Sequence, residues 1–193
     1  MDRGEPALKG FVIQSLWEDL HELLRVGRLA RETAELRLGA RDLELLDGKL
    51  EPGLWYPNEV YVHYAQLLAD VVGVTDAEVY WAERGRRAVD RLLAGPSTVQ
   101  KMVSGAKSFG KEAGRALMQL PQLVLSYGEW SFGRPASDRW VVDVRAAEAL
   151  PDSLRFSFQG AGERISRLLS GSETRVTSRR PRPDSVSFEG RLV

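Results

Sequence analysis

Between residues 54 and 61 the chain reads Leu54-Trp55-Tyr56-Pro57-Asn58-Glu59-Val60-Tyr61, and no other stretch constrains the fold as tightly. A proline drives the residue before it out of the α region, yet is itself tolerated where a helix begins. Trp55 and Tyr56 are therefore expected to form an extended, rigid anchor. A helix should follow from about Asn58 to Val72, carrying His63, Tyr64, Leu67 and Leu68, and Gly73 should end it. This signature is architectural and names no chemistry.

Composition narrows the class. Length (193 residues) and an apolar content of 43% suit one globular domain, with residues 1–7 as a flexible start and residues 8–193 as a single α+β unit. Basic and acidic residues number 27 each, and this balance argues against nucleic acid and acidic membranes as partners, since both favour a basic surplus. Cysteine is absent, which removes disulfides, thiolate metal sites and cysteine nucleophiles together. The start of the chain has no apolar signal region, and no run is long and apolar enough for a membrane span. A cytoplasmic protein is the expectation.

Along the chain, Leu8 to Gln14 suits a strand or a strand leading into a helix. Leu16, Trp17, Leu20, Leu23 and Leu24 recur at helical spacing from Ser15 to Val26, before Gly27. Residues 28–53 predict one short helix and a loop. Thr75-Asp76-Ala77-Glu78 has the spacing of a capping box for a helix reaching Leu93 and closing at Gly95-Pro96. Residues 97–126 read as helical, with a break at Pro121. Glu129–Phe132 and Arg139–Val144 then predict strands. A helix from Pro151-Asp152 to Leu169, closed by Gly171, leads to strands Thr174–Thr177 and Ser185–Glu189. Helices followed by strands predict an α+β domain: an N-terminal and central helical layer on a small antiparallel sheet from the C-terminal half.

Few residues suggest chemistry. Gly105 to Lys111 follows the phosphate-loop spacing Gly-x-x-x-x-Gly-Lys, but Glu112 stands where a magnesium-holding Ser or Thr belongs. Its carboxylate would repel phosphates. His21 is expected to face solvent, whereas His63 shares a helical face with Glu59 and reads as a partly buried, hydrogen-bonded histidine. With two histidines and no Gly-x-Ser-x-Gly elbow, an enzyme is not expected, and neither is a metal or cofactor site. Trp55, Tyr61, His63, Tyr64 and Trp81 are the candidate lining of an apolar ligand pocket, and the same rings suit a core or a subunit interface. Arg175, Arg179, Arg180 and Arg182 form the candidate contact for an anion, an acidic partner or nucleic acid. Arg84, Arg86, Arg87 and Arg91, interleaved with Glu83 and Asp90, read as a solvated helix face.

Leu8-Lys9-Gly10, Leu54-Trp55-Tyr56-Pro57 with Tyr61 and Leu67-Leu68, the Gly85-containing helix and the closing Asp184-Ser185-Val186-Ser187-Phe188-Glu189 together resemble a family of uncharacterised proteins of about 200 residues expanded in myxobacteria. In layout that family is similar to four-vinyl-reductase domains, haem nitric-oxide sensor domains and subunits of the transport-protein-particle complex. The resemblance implies small apolar ligands, haem or acyl chains, or a dimeric scaffold. The Tyr-x-Ser-x-Arg motif of the haem sensors is absent here, and Arg182-Pro183-Asp184-Ser185 occupies the region where four-vinyl-reductase domains often carry cysteines. The sequence thus predicts a non-catalytic sensory or adaptor domain that works through a protein partner or as a homodimer. The alternatives are an apolar-ligand domain and a nucleic-acid-associated regulator.

Overall fold

The computed structural model describes residues 4–94, 118 and 120–193. They fall into two compact units, drawn from Met1–Thr75 with Val124–Ser126 and from Asp76–Leu123 with Tyr127–Val193.

The first unit is helical, with a two-stranded ribbon. Strand β1 (Ala7–Lys9) pairs antiparallel with β2 (Trp55–Pro57), Leu8 facing Tyr56. Pro57 closes the extended pair, and α4 (Asn58–Val72) starts on the next residue, as the sequence predicts. It ends at Gly73, whose φ of 69° is a left-handed conformation that glycine adopts without a Cβ penalty. Helix α1 (Gly10–Arg25) begins five residues before the predicted Ser15, directly where β1 stops. Gly10 permits that junction. Its N–H donates to the Leu54 carbonyl, and a β-carbon there would overlap the Glu51 carbonyl.

Residues 28–53 give two short helices rather than the predicted one, α2 (Arg31–Arg37) and α3 (Ala40–Asp47). The extended backbone at Leu38 and Gly39 divides them. Each buries little, Ala34 on α2 and Asp42 with Leu46 on α3. The core of this unit comes from Ile13, Leu16 and Leu20 of α1 and Val60, Tyr64, Leu67 and Leu68 of α4, all at most 2% exposed.

The second unit joins two helices to a sheet. After α5 (Ala77–Ala94) come β3 (Glu129–Ala136), β4 (Arg139–Arg145), α6 (Asp152–Ser170), β5 (Thr174–Arg182) and β6 (Ser185–Leu192). The four strands lie in the order β3-β4-β6-β5, all antiparallel, so the predicted α+β class with its C-terminal sheet is what the chain forms. Strand β4 alternates cleanly, with Trp140, Val142 and Val144 buried and Arg139, Asp143 and Arg145 exposed. Gly190 of β6 faces Trp140, and its missing side chain makes room for the indole.

Helix α5 lies on α6 through two glycines. A β-carbon on Gly85 would overlap the Ser157 carbonyl, and one on Gly160 would overlap the Ala82 carbonyl. The contact is reciprocal, backbone against backbone. The cap of α5 also differs from expectation: the Val79 N–H donates to Asp76 Oδ1 at 3.0 Å, so Asp76 caps the helix rather than Thr75. Aspartate is the stronger capping residue, and moving the start by one frees Glu78 for α6. The predicted stop at Gly95-Pro96, the Gly105–Lys111 segment and most of the helix predicted over 97–126 lie outside the described residues; helical backbone is present at 120–124.

Candidate functional site

In the first unit the polar chemistry gathers between α3 and α4. Asp42 is an acidic residue on the inner side of a short helix, one turn before the fully buried Leu46, and is itself 6% exposed. A carboxylate in that position must be partnered. Its Oδ2 lies 2.5 Å from His63 Nδ1, and its backbone carbonyl accepts from the Tyr64 hydroxyl at 2.7 Å. Burial pushes the Tyr64 phenol well above its ordinary pKa, and the carboxylates of Asp42 and Asp47 push in the same direction.

His63 does not use the Glu59 on its own helix. Its Nδ1, on a side chain 44% exposed, is held by Asp42. Such a pair can orient an imidazole. Among the described residues, however, no group of three or more His, Asp or Glu could hold a metal ion.

His21 is the second departure. Expected at the surface, it is half-buried, with Nε2 2.6 Å from the Leu46 carbonyl and its ring centroid 4.1 Å from that of Trp17. Trp17 Nε1 donates to the neighbouring Leu45 carbonyl. Both aromatic residues thus tie α1 to the end of α3.

The predicted lining residues have different surroundings. Trp55 is 46% exposed on β2, with Lys9 Nζ 4.3 Å from its ring centroid. Tyr61 and Tyr64 are buried on α4 in the first unit. Trp81 is buried on α5 in the second, edge-on to Tyr80 at 4.9 Å. The second unit also gathers Trp130, which stacks with Phe188 and meets Phe158 edge-on, a cluster not anticipated from the sequence.

The arginine cluster divides by strand alternation. Arg175 and Arg179 point to solvent, and Arg182 lies 3.6 Å from Asp184. Arg180 turns to the other face, where it donates to the carbonyls of Ala147, Pro183 and Leu150. It fastens the turns around β5. Register supplies a different grouping: Arg175 faces Arg191 across the β5–β6 pair, and Arg191 faces Arg139 across the β6–β4 pair. Arg139 has Glu189 at 2.8 Å and Arg191 has Asp138 at 3.6 Å. This row was illegible in sequence because its members stand on three strands.

Beneath the sheet lies a chain of polar groups. Arg155, 8% exposed, donates to Asp152 and to both oxygens of Ser178. The Ser178 hydroxyl donates to Gln159 Oε1, and Gln159 Nε2 donates to Glu78. The Arg155 guanidinium, assisted by Arg180, holds the Asp152 carboxyl below its usual value. Every step has a partner, so the chain joins α5, α6 and β5 rather than opening to a substrate. Arg155 and Gln159, one helical turn apart, were the available signal.

No protein-family model matches the chain. No curated protein matches it. Among solved structures, an H-NOX protein from K. algicida in its Fe(II) unliganded form aligns over 96% of each chain, with a TM-score of 0.68 at 8% identity. H-NOX from T. Tengcongensis aligns over 95% of this chain and 97% of its own, with a TM-score of 0.60 at 12% identity. An oxygen-binding H-NOX domain related to soluble guanylate cyclases, in its oxygen complex, covers 95% and 94% with a TM-score of 0.58 at 13% identity. At such identities the likeness establishes the fold alone.

Proposed function

We propose that this chain is a non-catalytic sensory domain that binds a small apolar ligand and passes the bound state on through protein contact or self-association. The observation behind the reading is that its likeness to H-NOX domains covers 96% of the chain, helices and sheet alike. One of those neighbours is named as binding oxygen and as related to soluble guanylate cyclases. A fold can host many functions, so the likeness is joined here to the residues themselves. The large rings Tyr61, Tyr64 and Trp81 are buried, and the ionisable groups Asp42, His63 and Arg155 are held by hydrogen bonds within the fold. Apolar recognition suits such interiors better than acid–base chemistry does.

Native mass spectrometry of the purified protein, repeated after denaturation, tests the ligand. Extra mass that is lost on denaturation is the expected result. A bare chain in every preparation, with no gain on incubation with lipid extract, would overturn the reading. The masses of the native species report self-association in the same experiment.

A further inference from the structure

We infer that this chain uses the H-NOX fold without a histidine-ligated haem. This rests on the reading above that the domain binds a small ligand. Haem is the group that the fold suggests, one neighbour being described as a test of heme distortion in the H-NOX family.

The donor set does not fit it. There is no cysteine, and the two histidines are His21 and His63. Residues 95–117 contain neither residue type, nor a tyrosine, so that segment can supply no imidazole, thiolate or phenolate.

His21 has Nε2 engaged by the Leu46 carbonyl and one ring face against Trp17. Its other nitrogen adjoins the carbon bearing the side chain, so iron there would press the macrocycle onto α1 itself. His63 presents the better nitrogen, because Asp42 takes Nδ1 and the side chain carrying Nε2 is 44% exposed. Yet the residues sharing its helical face, Glu59, Gln66 and Asp70, are polar and exposed, and Asp70 is paired with Arg37. A porphyrin needs apolar walls on both faces, and among the described residues this polar helical face supplies none. Tyr64 is no substitute. Its hydroxyl donates to the Asp42 carbonyl, and its burial opposes the phenolate that iron would require.

His63 is therefore a tether between α3 and α4. The resemblance to a metal ligand lies in its carboxylate partner, but the described residues on its own helical face are polar.

The test compares hemin with iron-free protoporphyrin IX on the full chain, followed by absorption spectra with and without carbon monoxide under reducing conditions. The parent and the variants His63→Gln and His21→Gln are measured side by side. Glutamine retains a donor for Asp42 or for the Leu46 carbonyl, so the variants should fold, and circular dichroism checks that they do.

The expected result is that hemin and protoporphyrin bind within about threefold of each other, or that neither binds, with no change in either variant. Stoichiometric hemin binding more than about tenfold tighter than protoporphyrin, lost in either folded variant, would overturn the inference while leaving the ligand-binding reading intact. If neither porphyrin binds and native spectra show no extra mass even after incubation with lipid extract, the sensory reading fails and the inference about iron stands.

Discussion

The two units of this protein are held together by different means. In the first, short helices are linked through side chains: His63 to Asp42, Tyr64 to the Asp42 carbonyl, His21 to the Leu46 carbonyl, and Arg31 to Asp47. In the second, backbones meet directly at Gly85 and Gly160, and a sheet closes over Trp140 where Gly190 yields space. Side-chain tethers can lengthen or exchange partners at modest cost. Backbone contacts have no such slack, because a carbonyl cannot rotate out of the way. The first unit should therefore tolerate single changes that the second does not.

The comparison can be broken most readily at Trp140. Its replacement by alanine removes the largest side chain in the fully buried set and should cost about 3–5 kcal/mol, read as a lower urea midpoint. A loss under about 1 kcal/mol would mean that the sheet collapses into the space.

Gly160→Ala sets two effects against each other. Alanine gains up to about 1 kcal/mol in helix propensity, whereas overpacking costs about 1–3 kcal/mol. The obstruction is the Ala82 carbonyl, so overpacking should win and the melting temperature should fall. A rise would show that α5 can slide on α6.

Tyr64→Phe probes the first unit. It keeps the ring and removes the donor to the Asp42 carbonyl, and about 1 kcal/mol should be lost in chemical denaturation. A cost equal to that of Trp140→Ala would erase the distinction between the units.

Two smaller effects sharpen the picture. The folded Asp152 carboxyl titrates below its unfolded value because Arg155 bonds to it. Its contribution is therefore fully present above the ordinary carboxylate range and is lost as the pH falls through the depressed value. Since this side chain is 62% exposed, screening limits the effect to less than about 1 kcal/mol. Thermal melts of the parent should fall slightly more than those of Asp152→Asn between about pH 5 and pH 2, and parallel curves would remove the carboxylate from the account.

Arg175→Glu replaces a like-charge pair across β5 and β6 with an opposite one. The variant should be more stable by about 0.2–1 kcal/mol at low salt, an advantage that fades as salt is raised. A loss instead would show that Arg175 has a partner of its own.

Much of the fold was legible in sequence. Pro57 placed the junction of β2 and α4, Gly73 and Gly171 placed two helix ends, and the alternation in Arg139–Val144 placed a buried strand. Each of these signals acts within a few residues. Where the reading slipped, either a neighbour in space decided or two adjacent capping residues competed. Gly10 admits the start of α1 because Leu54 and Glu51 lie beside it, and Asp76 displaced Thr75 as the cap because it reaches the Val79 N–H.

The candidate site was the least legible part. His63 was visible, but its partner Asp42 is 21 residues away, and Gln159 meets Glu78 across 81. Strand register, not sequence proximity, groups Arg175 with Arg191 and Arg139 and turns Arg180 away from them.

By itself, then, the sequence determined the order of most elements, the α+β class, the absence of cysteine and the presence of only two histidines. Backbone propensity, capping and composition act locally or not at all on distance, and a single chain displays them in full. The tertiary structure alone decided which imidazole nitrogen is engaged, which arginines reach solvent and where two helices touch through glycine. Those outcomes depend on groups far apart in the chain, whose hydrogen bonds and contacts form only when folding brings them together.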